Sequence, residues 1–236
     1  MKYGAAKTRF SAPLQEPPAF LSTISMTSDD QALIIKKLKD AEIKTPAFYK
    51  TARELFNRIL SGDLTFDQAY HQADEIVEPT DRRCALDVLA VSENFLRNEP
   101  KSPISRFPRR SITLPNGLPL AVSPIFVRNA QPKRLLVLYF WNTPLSSRQI
   151  STVAAVVRMA TRAESGYDDA DLDFVSASLN SSGQRREFRH LNWAKCKPLS
   201  DAELTRFWGL FTAAWERYQR MPPREIKSRR DGGLFD

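Results

Sequence analysis

Arg134-Leu-Leu-Val-Leu-Tyr-Phe-Trp141 is the stretch on which the fold turns. Leu135 to Trp141 is the longest unbroken apolar run in the chain, and at seven residues it is far short of the roughly 20 that a membrane helix needs. Density in Leu, Val, Tyr, Phe and Trp without helical spacing predicts a buried central strand that anchors a sheet. Around it the pattern alternates. Ser146 to about Ala163 has the period of a helix, Leu172–Leu179 and Arg185–Trp193 that of strands, and Ser200 to about Arg220 that of a last helix. Ser200 and Glu203 form a capping box for that helix, and Met221, Pro222 and Pro223 end it. Upstream, Asn116 and Gly117 join Ser111–Leu114 to Leu118–Val122 as a hairpin, whose prolines suit an edge.

Between Ser28 and Pro100 the period is helical. Ser28 and Gln31 cap a short helix that ends near Ala41. A second helix starts with Thr45 and Pro46 as N-cap and first residue, carries Phe48, Ala52, Leu55, Phe56 and Ile59 on one face, and stops at Gly62. Two more run from Thr65 to about Val77 and from Thr80 to about Asn98. The expectation is an α+β protein in four segments. These are a flexible N-terminal arm (1–27), rich in Pro, Ser and Thr, a helical module (28–100), a basic domain (101–221) in which a small mixed sheet packs with two amphipathic helices, and a charged tail (222–236) with Arg229, Arg230, Gly232 and Gly233.

Charge divides the chain more sharply than its total of +8 conveys. Residues 1–100 hold 13 Lys and Arg against 15 Asp and Glu, whereas residues 101–163 hold ten basic side chains and no acidic one. Asp and Glu return briefly at 164–173. Residues 185–230 are basic again, with 12 basic side chains against five acidic. A surface of one sign concentrates polyanions, and most of these cations are arginine, whose planar fork suits phosphate. Helical geometry places Arg148, Arg158 and Arg162 opposite the apolar face of the Ser146 helix, and Arg206, Arg217 and Arg220 opposite that of the last helix. Arg106, Arg109, Arg110, Arg128, Arg148, Arg158 and Arg162 are the candidate phosphate contacts. Trp141 and Trp193 end strands beside basic residues, where base stacking competes with an ordinary place at the core edge.

Few residues offer chemistry. His71, His190, Cys84 and Cys196 have no spacing for a metal cage, and the two cysteines read as separate thiols rather than a disulfide. No glycine-rich loop joins a strand to a helix, so no nucleotide cofactor is expected. A helix-turn-helix about Ser61, Gly62 and Asp63 fails on charge, because its second helix carries Asp67, Asp74 and Glu75 and no Lys or Arg. One acidic constellation stands out: Asp173 on one strand, with Glu187 and Arg189 two apart on the next. It resembles the Asp, then Glu-x-Lys, arrangement of restriction-endonuclease-like nucleases over three residues, with Arg in place of Lys. That resemblance implies Mg²⁺ held by Asp173 and Glu187 near a phosphodiester.

Composition thus points to a non-enzymatic, nucleic-acid-associated protein that meets DNA or RNA through arginines. A divergent Mg-dependent nuclease and an adaptor for an acidic protein partner are the alternatives. With no secretory pattern behind Lys2, Lys7 and Arg9, a cytoplasmic, non-membrane protein is expected.

Overall fold

The computed structural model describes residues 9–11, 13–41, 49–162, 164, 166–167, 169–180 and 182–226. Thr45, Pro46 and Phe48, expected to open the second helix, and Arg229, Arg230, Gly232 and Gly233 of the tail lie outside the described residues.

The chain enters through β1 (Arg9–Ser11), α1 (Phe20–Met26) and α2 (Gln31–Ala41), then α3 (Tyr49–Ser61), α4 (Phe66–Asp74) and α5 (Pro79–Asn98). Local chemistry sets these ends. Thr65 and Gln68 form a reciprocal capping box for α4, and Gly62, with φ of +87°, terminates α3 in a conformation that other residues rarely adopt. Asp30 takes the capping role predicted for Ser28: its carboxylate accepts from the Ala32 N–H at 2.8 Å, so α2 begins at Gln31.

Strands follow. These are β2 (Ile104–Arg106), β3 (Arg110–Thr113), β4 (Pro119–Val122), β5 (Phe126–Arg128) and β6 (Arg134–Tyr139), then α6 (Ser147–Arg162), β7 (Asp171–Leu179), β8 (Arg186–Leu191), α7 (Trp193–Cys196), α8 (Asp201–Gln219) and β9 (Arg224–Ile226). The protein is α+β. A five-stranded mixed sheet has the order β2-β5-β6-β7-β8, and a separate hairpin, β3-β4, turns at Asn116 and Gly117, both with positive φ. β2, β5 and β6 form an antiparallel meander, α6 carries the chain over to β7 parallel to β6, and β8 returns antiparallel.

β6 is the middle strand, as its composition demands. Leu135, Val137 and Tyr139 face a layer built from α1, α2, α6, α8 and the hairpin, while Leu136, Leu138 and Phe140 face α3, α4 and α5. Each such leucine, wholly withdrawn from water, contributes about 1.5–3 kcal/mol.

The change of character near Pro100 is a change from helix to strand and does not separate two cores, since α3 and α5 bury Phe56, Leu89 and Leu96 on the sheet itself. α2 leaves the helical group altogether and packs against α8, with Ile34, Ile35 and Leu38 buried on the opposite side. The arm expected at 1–27 contains α1, whose Phe20, Leu21 and Ile24 are buried, because even about two turns of helix can seat three apolar side chains. β1 pairs with β9, so residues 224–226 of the expected tail are strand. Among the described residues no helix is long and apolar enough to cross a membrane.

Candidate nucleic-acid interface

The arginines of the acid-free segment have two different environments. Arg128, the last residue of β5, is buried: only 2% of its side chain is accessible. Its Nη1 donates to Glu99 Oε1 at 2.7 Å and approaches Asp173 Oδ2 at 3.4 Å, and its Nη2 donates to the Pro100 carbonyl at 2.7 Å. Arg134, opposite it on β6, bridges the same acids, with Nη1 2.9 Å from Glu99 and Nη2 2.9 Å from Asp173. His190 on β8 completes the row, its Nε2 2.6 Å from Asp173 Oδ1 and its ring 4.8 Å from that of Phe95. Both oxygens of the fully buried Asp173 are therefore engaged. Burying a charge is costly unless it is paired, and here each charge finds its opposite. Arg128, predicted as a phosphate contact, lies below the surface, its guanidinium held by two carboxylates and a carbonyl.

The carboxylate pair read from the strands is also not assembled. Glu187 stands opposite Ser178 and Arg189 opposite Ser176, on the same side of the sheet as Phe174, and they line a small recess with Leu145. Asp173 precedes Phe174 on an alternating strand and so points to the other side, toward α5. The sheet lies between Asp173 and Glu187. What Glu187 does meet is Arg189, at 3.6 Å. Among the described residues no three Asp, Glu, His or Cys side chains are grouped to hold a metal ion.

The exposed arginines converge elsewhere. Arg110, at the start of β3, forms an ion pair with Glu164, just past the end of α6, and Arg109 precedes it in the open. Lys133 reaches the same loop from the β5–β6 turn: its Nζ donates to the Gly166 carbonyl at 3.1 Å and lies 4.7 Å from the centre of the Tyr167 ring. Tyr167 in turn meets Phe107 edge to face at 5.1 Å. On the other flank Trp193, the first residue of α7, donates through Nε1 to Ala170 O at 2.9 Å, and Arg158 of α6 places its guanidinium 5.3 Å from that ring. Arg162 follows Arg158 by four residues, about 6 Å along the same face.

The loop between α6 and β7 is thus ringed by Arg109, Arg110, Lys133, Arg158 and Arg162, with Tyr167 and Trp193 among them. Of these cations, Arg109, Arg158 and Arg162 are exposed and meet no carboxylate within ion-pair distance among the described residues. The acids of the same stretch of sequence are Glu164, Asp168, Asp169 and Asp171; Asp169 is exposed and Asp171 accepts from the Leu172 N–H.

Two predicted contacts stand apart. Arg148 sits at the other end of α6, about 21 Å from Arg162 along the helix, and is held 3.2 Å from Asp29. Arg106 lies exposed on the edge strand β2, beside Arg53; burial, opposed by Glu54 and reinforced by the charge of Arg106, lowers the pKa of the Arg53 guanidinium. Lys133 and Tyr167 were missed from the sequence. Lys133 belongs to the acid-free run, but nothing local distinguishes it until β5 and β6 form their turn.

Compared with known protein families and with characterised proteins, the sequence matches none. Among solved structures it is similar to a crystal structure of a "Putative exonuclease" from Eubacterium rectale, with 12% identity and a TM-score of 0.41 over 92% of this chain and 88% of that one. A likeness of that degree is too loose to transfer a fold or an activity.

Proposed function

We propose that this chain is a non-enzymatic nucleic-acid-associated protein, whose contact surface is the basic rim around the loop between α6 and β7. The observation that carries the proposal is the set of exposed arginines, Arg109, Arg158 and Arg162, that reach the surface of one region without a carboxylate partner among the described residues. A guanidinium left unpaired on a surface is available to a phosphate, and several within one region raise the local concentration of a polyanion. The acid-bearing row across the sheet supports a non-enzymatic reading, because Asp173 is consumed by Arg128, Arg134 and His190.

The test is the affinity for generic DNA and RNA as salt is raised, read by fluorescence anisotropy of a labelled oligonucleotide. Phosphate contacts release counterions, so the logarithm of the affinity falls linearly with the logarithm of salt concentration. Arg158→Ala with Arg162→Ala reduces that slope by about two. Affinity that does not change with salt, or no binding even at low salt, refutes the reading; in the second case capture of an acidic protein partner is the next measurement.

A further inference from the structure

Resting on that reading, we infer that the ligand is a single strand, and that Trp193 and Arg158 form a stacking platform for one of its bases. Two features of the fold carry this.

The first is how α6 is seated. A helix that reads duplex DNA enters the major groove, which requires it to project from the protein. α6 cannot do this: Thr152, Val153, Ala154, Ala155, Val156 and Val157 are all buried in succession, so the helix is enclosed on nearly every side through its middle. What reaches solvent at its C-terminal half is a ridge of Arg158, Met159 and Arg162. A ridge flush with the surface can follow a strand laid across it.

The second is the pairing of an unspent guanidinium with an aromatic ring. Trp193 is half-buried and its Nε1 is tied to Ala170 O, which fixes the orientation of the indole. Arg158 lies over the ring at 5.3 Å and is itself exposed. Unstacked bases stack on aromatic rings and on guanidinium planes alike, and the ring with the guanidinium beside it offers both kinds of surface. Met159, 38% exposed beside Arg158, adds apolar contact for the same base. In a duplex the bases face one another and this platform has nothing to hold. Arg162, one turn on, and Arg109 take the neighbouring phosphates.

The experiment compares three ligands at one moderate salt concentration: a short oligo(dT), a duplex of matched length, and heparin, which has the charge but no bases. Binding to each is measured for the unaltered chain and for Trp193→Leu and Trp193→Phe. The expected result is tighter binding of oligo(dT) than of the duplex, with quenching of tryptophan fluorescence that Trp193→Leu abolishes. Trp193→Leu weakens oligo(dT) by about 5- to 150-fold and leaves heparin unchanged, while Trp193→Phe, which keeps a ring, stays close to the unaltered chain. Equal affinity for single strand and duplex, or a loss in Trp193→Leu shared equally by heparin, overturns the inference while the polyanion reading stands. Failure to bind any of the three ligands removes both.

Discussion

Arg128 and Arg158 come from one acid-free segment of sequence, and the fold puts them to opposite uses. Arg128 ends a central strand, is withdrawn from water, and is neutralised by Glu99 and Asp173, which lie 29 and 45 residues away in the chain. Arg158 stands on an exposed ridge with a tryptophan ring beneath it and no acid within ion-pair reach among the described residues. Charge counted along a sequence therefore overstates the charge available at a surface. Arg186 makes the same point: 4% of its side chain is accessible, and it is spent on the carbonyls of Phe140 and Ala177. What distinguishes the two uses is whether tertiary structure delivers a partner, an opposite charge for Arg128 and backbone carbonyls for Arg186.

The most severe way to test this contrast is to break the buried row. Arg128→Met leaves Asp173 and Glu99 short of a partner, and removing one member of a buried pair typically costs about 3–5 kcal/mol. Urea unfolding of the variant is expected to show a loss of that order; a loss below about 1 kcal/mol would mean that the row is not the tight network its distances describe. A double-mutant cycle on Arg134→Ala and Asp173→Asn then isolates one contact of the row. The expected coupling is about 0.5–3 kcal/mol, and strict additivity would show that the two side chains do not interact.

At the surface the outcome should invert. Arg158→Ala with Arg162→Ala is expected to change unfolding stability by no more than about 0.5 kcal/mol per site, while depressing nucleic-acid affinity. A large stability loss here would class these arginines with Arg128.

The smallest effect expected is on thiol reactivity. Burial first, then the nearby charge of Asp171, pushes the Cys196 thiol up to about 11, so at pH 8 only about one molecule in a thousand carries the thiolate there. Cys84 is also raised, by burial first, but is only partly buried. A colorimetric thiol titration of the folded protein at pH 8 should show Cys84 reacting ahead of Cys196, with Cys196 accelerating as pH rises toward 11 or on unfolding. Equal rates for both thiols at pH 8 would contradict the enclosed setting of α7.

How much of this was legible beforehand follows from distance along the chain. α6, α8 and β6 could be read because their apolar side chains recur within the element itself, and the capping boxes at Thr65 and Ser200 advertise two helix starts. β2 and β5 could not, since three residues among Pro103, Pro108 and Pro124 are too few to show a period. α1 was hidden for the same reason, behind Pro17 and Pro18. The proposed interface is half visible in the sequence: Arg109, Arg110, Arg158 and Arg162 are marked by the acid-free run in which they stand, whereas Lys133 and Tyr167 are brought beside the same loop only through the turn of β5 into β6 and the return of α6 to β7. Burial of Arg128 was beyond local reading, because its partners lie on α5's end and on β7.

The row of ions also governs how the strands can align. A slip of β7 by a single residue against β6 would exchange its two faces, carrying Asp173 into the apolar side with Leu172's neighbours and turning Phe174 toward Arg128 and Arg134. The guanidinium of Arg128 and the carboxylate of Asp173, both withdrawn from water, would then be stranded apart. Misaligned sheets are thereby made prohibitively poor competitors, and the native pairing is selected by what its rivals would have to bury.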